Sequence, residues 1–502
     1  MIKLFGGSKP EHPMAELKEA RRLLEVLPAQ DNFKALEEVS HWFESVSMAE
    51  GFKPDYRAQL LLMIDDAAQP RVRKLIREYL ATQRPSKFQE NRLWGAIHEF
   101  WHQAGLAYAR MIDQFVNNAK GVDAAKAQVP LLLVRALRSL AQRIKWQHMR
   151  YGPIDFSSWW ILNKVYAFAE LRKLTGSKVA VYPAAAVEST PQLEFLKAVM
   201  FSASAPDSLL PLEVEVAERL IDYFGPYFAI SAAHTPENAY WIDLSKGMGP
   251  VRFVRAPQPA PTLRYLGASP ALAELERLID TIQDSGAVPS VLKLGGDYTT
   301  DSVVEVLRHM AMYWSPEIPE RKHPRHSVKS RLSVAHGFDS VMHVLDAANS
   351  LDFDPTAVES WIVENVSAGG FGAVIPQLKG DWLRVGVMVA MQPEGGSNWV
   401  LGLVRRVNKT DNSQARVGIQ TLSKAPVISQ FSIGATGEQG IMLKGTGAEN
   451  IESNVALRTG VFAPTQNLEA DRNGRHYVYM PVGLLERGED YDIGRYREMI
   501  RE

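Results

Sequence analysis

Hydrophobic positions recur at helical spacing through the first third of the chain. Leu17, Leu23, Leu24 and Leu27 predict a helix over Met14 to Leu27. Asp31 is placed to cap a second, running to about Ala49. Lys53-Pro54-Asp55 starts a third, carrying Leu60, Leu61, Met63 and Ile64, and Pro70 starts a fourth that ends near Gln83. Longer helical patterns follow over Lys87 to Asn118, Asp123 to His148 and Ser157 to Leu174. No stretch of this part alternates with period 2, so residues 1–176 are expected to form an α-helical domain.

The pattern then changes. Residues 177–315 read as a mixed region, with helices over Thr190 to Ala203, Leu212 to Tyr223, Ser269 to Gln283 and Thr300 to Trp314. Short strands are expected at Phe228 to Ser231, Tyr240 to Leu244 and Val251 to Arg255, and Ala256 to Pro261 reads as a Pro-rich break. Residues 316–427 carry strand-like runs at Phe371 to Pro376, Leu383 to Met391, Trp399 to Val407 and Arg416 to Leu422. Turn residues separate them, including Pro393 to Asn398 and Asp411-Asn412-Ser413, and this spacing suggests a small antiparallel barrel. A helix over Phe338 to Ser350 interrupts that region. Residues 428–502 keep strand patterns at Ile441 to Leu443, Ala456 to Phe462 and His476 to Met480. They read either as an extension of the barrel or as a second β domain, and Arg487 to Glu502, which carries charges of both signs, reads as a solvated tail or terminal helix. The fold class expected is α+β: a large helical N-terminal region, then a small antiparallel β-barrel, then a β-rich C-terminal extension.

Composition narrows the function classes. The chain has 502 residues, 46% of them hydrophobic, which suits several globular cores. Its 56 basic and 57 acidic residues leave a net charge of −1, without the basic excess that general nucleic-acid binding needs. Cysteine is absent, which removes disulfides and thiolate metal sites and fits a reducing compartment. No run approaches the ~20 apolar residues of a membrane span, and Met1 to Pro10 lacks a signal-peptide core. A cytoplasmic location is expected.

The chemistry concentrates between Glu320 and Gly370. Arg321-Lys322-His323-Pro324-Arg325 reads R-x-x-x-R, and Asn365-Val366-Ser367-Ala368-Gly369-Gly370 reads N-x-S-x-x-G. A guanidinium offers a planar fork that matches a phosphate or the O6/N7 edge of guanine, and its face stacks on a base. Pro324 favours an extended segment, in which residues four apart point to one side. Asn365 brings a donor and an acceptor and Ser367 a hydroxyl. Gly369 and Gly370 permit positive φ and close approach to a ligand. Together these residues suit a small, doubly anionic guanine ligand. R-x-x-x-R recurs at Arg73/Arg77 and Arg497/Arg501, so the signal lies in the ordered pair of motifs and not in either half.

These motifs, with Leu383-Arg384-Val385-Gly386, Leu401 to Val404 and Val417 to Gln420, resemble the PilZ domain family over about Pro319 to Leu422. The resemblance implies a β-barrel that binds cyclic di-GMP, with Arg321 and Arg325 clamping bases and phosphates and Asn365, Ser367, Gly369 and Gly370 closing the other side. Glu320 stands where many members carry another arginine, which leaves one nucleotide or a stacked pair open. The gap between the motif halves is long, and Thr421 stands where the last strand often carries Phe.

A competing signal is His98-Glu99-Phe100-Trp101-His102, which matches H-E-x-x-H. On a helix the two imidazoles share a face suited to zinc, with Glu99 as general base. His148 and Glu170 are the only loose candidates for a third ligand, and the interior aromatics read as core.

The reading favoured by the sequence is a non-enzymatic cyclic di-GMP effector without cofactor or metal. Its barrel senses the nucleotide, and the helical region passes the signal to a protein partner. A scaffold with a barrel that binds no nucleotide is the alternative, and a zinc-dependent hydrolase using His98 and His102 comes third.

Overall fold

The computed structural model describes residues 10–28, 30–81, 86–183, 185–296, 298–317, 323–347, 358–410, 413–434, 436–443, 452–472 and 474–501. Contacts divide the chain into two units. The first comprises Met1–Arg150, Ile154–Pro206 and Pro211–Pro319; the second comprises Tyr151–Pro153, Asp207–Leu210 and Glu320–Glu502. The α+β class expected from the sequence is what is found: helices first, β-barrels after.

In the first unit, helices α1 (Leu17–Glu25), α2 (Asn32–Met48), α3 (Pro54–Leu80), α4 (Lys87–Val116), α5 (Val129–His148) and α6 (Phe156–Leu171) come in succession. Their starts are chemically marked. Asp31 accepts from Lys34 N at 3.0 Å, Ser86 from Gln89 N at 3.3 Å and Asp155 from Ser157 N at 2.8 Å. Pro70 does not start a helix of its own; α3 runs straight through it. A mid-helix proline costs about 3 kcal/mol. Here the buried stripe Leu60, Leu61, Ile64, Ala68, Val72, Leu75, Ile76 and Tyr79 continues on both sides of it, and packing outweighs the break.

The mixed region adds the hairpin β1 (Val179–Tyr182) and β2 (Ala185–Ser189), helices α7 (Pro191–Ala203) and α8 (Pro211–Phe224), and strands β3 (Ala229–Ser231), β4 (Asn238–Asp243), β5 (Val251–Arg252) and β6 (Leu263–Gly267). Strands β3 to β6 form a sheet in the order β3-β6-β4-β5, followed by α9 (Ser269–Ser285) and α10 (Thr300–Trp314). Two buried cations of this unit are paired. Arg135, 2% exposed, donates to Asp66, Leu62 O and Val181 O, while Lys145 meets Glu215 and Glu218.

The second unit contains two barrels. The first is built from β7 (His326–His336), β8 (Glu359–Ser367), β9 (Gly370–Ile375), β10 (Met388–Pro393), β11 (Val400–Lys409) and β12 (Ala415–Ser423), with α11 (Phe338–Ala347) after β7. Its strands close in the order β10-β11-β12-β9-β8-β7. Alternation fills the interior: Trp361 and Val363, Ala373 and Ile375, Val404 and Val407, Val417 and Ile419 are all buried together. The strand expected from Leu383 begins only at Met388, because Gly386 takes φ 85° and turns the backbone out of the extended region. The turn expected at Asp411-Asn412 and the final residues of the Phe338 helix lie outside the described residues.

The C-terminal segment is a second closed barrel of β13 (Val427–Ile433), β14 (Thr436–Leu443), β15 (Glu452–Arg458), β16 (Leu468–Arg472), β17 (Arg475–Arg487) and β18 (Tyr491–Arg501), in the order β13-β14-β15-β18-β17-β16. Arg487 to Glu502 is therefore neither a tail nor a helix over its described length. Tyr496 points into the barrel, Tyr491 and Ile493 pack from the other face of the strand into the core shared with the first barrel, and Arg495, Arg497 and Met499 are exposed. Buried Asp492 accepts from Gly460 N at 2.9 Å and Arg487 Nε at 2.8 Å. Counted in chain order, both barrels have one connectivity: first strand beside second and fourth, third beside second and sixth, fifth beside fourth and sixth. The barrels share a core in which Phe338, Val341 and Val344 of α11 and Met388, Leu401 and Leu403 meet Ile441, Leu443, Ala456, Tyr491 and Ile493.

Candidate functional site

Strand pairing brings the residues just after the first motif half beside the second. In β7 and β8, His326 lies opposite Val366 and Ser327 opposite Asn365. The pairing ends there: the exposed Arg325 is the residue just before β7, and Ser367 follows Val366 at the same end of the pair. Arg321 and Lys322 lie outside the described residues, so the pair of arginines is represented by Arg325. His323 is described; a methyl group on Gly369 would come within 3.4 Å of its Cδ2, so His323 lies beside the N-x-S-x-x-G turn.

That turn is the hairpin between β8 and β9. Ser367 lies opposite Gly370, and its Oγ donates to the Gly370 carbonyl at 3.3 Å. Neither Gly369 nor Gly370 adopts the positive φ expected of them. Gly370 is needed for a different reason: a methyl there would collide with the Ile419 carbonyl oxygen of β12. The register of β8 shifts between Val363 and Asn365, a bulge that turns Asn365 outward opposite Gly372. The Asn365 amide lies over Gly372, 2.6 Å from where a methyl would stand.

The outer face continues as a trough. Gly370 and Gly372 of β9 lie opposite Gln420 and Gly418 of β12, and Gly418 lies opposite Arg406 of β11. Glycines 370, 372 and 418 therefore line a strip, with Gly370 itself buried and the Asn365 amide over Gly372, that has Asn365 and Ser367 on one side and Gln420, Arg405 and Arg406 on the other. Arg406 pairs with Asp207 at 2.6 Å, and Arg405 Nε donates to Gln420 Oε1 at 2.7 Å. The sequence reading missed Gly372, Gly418 and Arg405. The signal for the glycines was present, since they recur with period 2 between inward-facing Phe371, Ala373, Val417 and Ile419.

Residues 18–236 match the family model of the cyclic di-GMP receptor FimW, N-terminal domain. The match supports a cyclic di-GMP receptor family. It covers less than half of the chain, and the two motifs at Arg321 to Gly370 lie C-terminal to it. No curated protein matches the sequence.

Within the matched stretch lies the H-E-x-x-H segment, on α4 as the pattern expects. Trp94 stacks on His98 (centroids 4.7 Å, 8°), and His98 lies parallel to His102 (6.3 Å, 6°). Burial, with Arg143 and His102 nearby, lowers the His98 pKa to about 4. Burial, with Arg143, also lowers that of His102. The candidate third ligands are engaged elsewhere: Glu170 accepts from Arg264 Nε at 2.9 Å, and His148 packs edge-on against Phe201 at 5.7 Å. Among the described residues, no group of three or more His, Asp or Glu side chains is placed to hold a metal ion. Also among them, no helix is long and apolar enough to cross a membrane.

Proposed function

We propose that the chain is a cyclic di-GMP effector whose first barrel is a PilZ-like nucleotide sensor. The observation that carries this reading is the β7–β8 register. It pairs His326 with Val366 and Ser327 with Asn365, which brings Arg325, the residue before His326, and Ser367, the residue after Val366, to the same end of the strand pair, beside an outward Asn365 and the glycine strip. Arg325 supplies the planar fork for a phosphodiester or a guanine edge, and Asn365 a donor and an acceptor for the base. Arg321 is assigned the second half of the clamp from its spacing, and Ser367, Gly369 and Gly370 the opposite wall. The family match over residues 18–236 supports the same ligand from a separate part of the chain. The helical region is proposed to hand the signal to a protein partner, with the segment through Arg325 as the part that ligand orders.

Calorimetric titration with cyclic di-GMP, cyclic di-AMP and GTP tests the reading. Binding of cyclic di-GMP well above the other two is expected, since a lost buried hydrogen-bond partner costs about 1–3 kcal/mol. Arg325→Ala is expected to weaken binding at least tenfold, because a charge-assisted bond is worth about 1.5–3 kcal/mol. Arg325→Lys should not restore it, since lysine lacks the fork. Absence of heat with all three ligands sinks the proposal in favour of a scaffold. Saturating ligand should also slow tryptic cleavage after Arg325 in the wild type.

A further inference from the structure

We propose that the second barrel completes the nucleotide site of the first: Glu486 holds Arg405 at the far wall of the glycine-floored trough, where the guanidinium face stacks on a guanine base. This rests on the reading of the trough as a cyclic di-GMP site. Arg405 is the extra residue of a bulge, since the β11–β12 register shifts between Val404 and Arg406. The bulge frees its side chain from the strict alternation of the strand and lets it lean along the outer face. There its Nε donates to Oε1 of Gln420 at 2.7 Å, and Gln420 lies directly opposite Gly370. From Ser367 across Gly370 to Gln420 is two strand spacings, about 10 Å.

The second barrel then fixes the plane of the group. Nη1 and Nη2 of Arg405 donate to Oε1 and Oε2 of Glu486 on β17, each at 2.6 Å. A bidentate pair together with the Nε bond fixes the guanidinium in rotation and in translation within its own plane. All three bonds lie in that plane, whereas stacking on a base uses the face perpendicular to it. The side chain is 39% exposed, and the proposal sets the base against its exposed part. Glu486 is a positioning residue in this scheme and touches no ligand. Other contacts fasten the same junction: Tyr491 Oη donates to the Gly386 carbonyl at 2.7 Å, and Arg458 pairs with Asp339 at 2.6 Å. Arg405 is the one among these that also contacts a residue of the trough wall.

Cyclic di-GMP affinities of full-length variants test the proposal. Arg405→Ala and Arg405→Lys are each expected to weaken binding fivefold or more, since lysine keeps the charge and loses the flat face. Glu486→Gln should weaken it about threefold or more, and the double variant Arg405→Ala/Glu486→Gln should bind no worse than Arg405→Ala alone. Arg458→Ala, which loosens the junction away from the trough, should bind as wild type does. The proposal is overturned, with the nucleotide reading intact, if Arg325→Ala abolishes binding while the Arg405 and Glu486 variants match the wild type. It is overturned equally if Glu486→Gln tightens binding, which would make Glu486 a competitor of the ligand, or if Arg458→Ala weakens binding as much as Glu486→Gln does. A wild-type chain that binds no cyclic di-GMP removes both readings together.

Discussion

Gly372 separates the two uses of glycine in the candidate site. A methyl at Gly370 meets rigid backbone in the neighbouring strand, whereas a methyl at Gly372 meets the end of the Asn365 side chain, which is able to rotate away. Gly372→Ala is therefore expected to fold, with a stability loss below the roughly 1–3 kcal/mol of an overpacked core, and to weaken cyclic di-GMP binding severalfold by displacing the Asn365 amide. Paired thermal melts and titrations check this; unchanged affinity would show that Asn365 does not need its present place. At this scale the sequence marks Arg325, Asn365 and Ser367 as candidates, because polar residues at fixed offsets around a turn announce themselves. It hid Arg405. Its position depends on a bulge and on Glu486, 81 residues further along, and no local pattern encodes either.

Elements with a strong local signature were readable to within a few residues. The cap residues Asp31, Ser86 and Thr190 mark helix starts, and α10 begins and ends where the pattern places it. The misreadings arose where tertiary packing overrides local propensity. Pro70 is carried inside α3 by the apolar stripe around it, and β18 looks like a charged tail because its outward positions are mostly charged. Helix α4 carries a testable electrostatic consequence of the aromatic packing around H-E-x-x-H. The folded chain keeps His98 neutral down to about pH 4, while the unfolded chain binds that proton near the ordinary value of 6.5. The associated stability is present above about 6.5 and is lost as pH falls toward 4, because in that window the unfolded state binds more protons. His98→Gln is expected to give a shallower fall of melting temperature across this window, with a residual slope from His102, whose pKa is also lowered. A slope identical to wild type would contradict the burial assigned to His98.

Over the second unit, the core shared by the two barrels predicts that they stabilise one another. Ile441 is fully buried and belongs to the second barrel, yet it packs in the same cluster as Leu401 and Leu403 of the first. Ile441→Ala is expected to cost about 2–5 kcal/mol and to lower amide-exchange protection in β11 as well as in β14 and β15. Loss of protection confined to the second barrel would show that the barrels open independently. The closure of both sheets has a further consequence for recruitment. Among the described residues, each strand of the first barrel is paired on both sides, so that barrel presents no edge row of unpaired N–H and C=O groups, whereas the second closes between β13 and β16 through the single pair Ser432–Glu469. A peptide that binds by adding itself to a sheet as one more strand finds such edges, among the described residues, at β3, at β5 and at the β1–β2 hairpin, all in the first unit. Whatever docks on the first barrel has to read side chains.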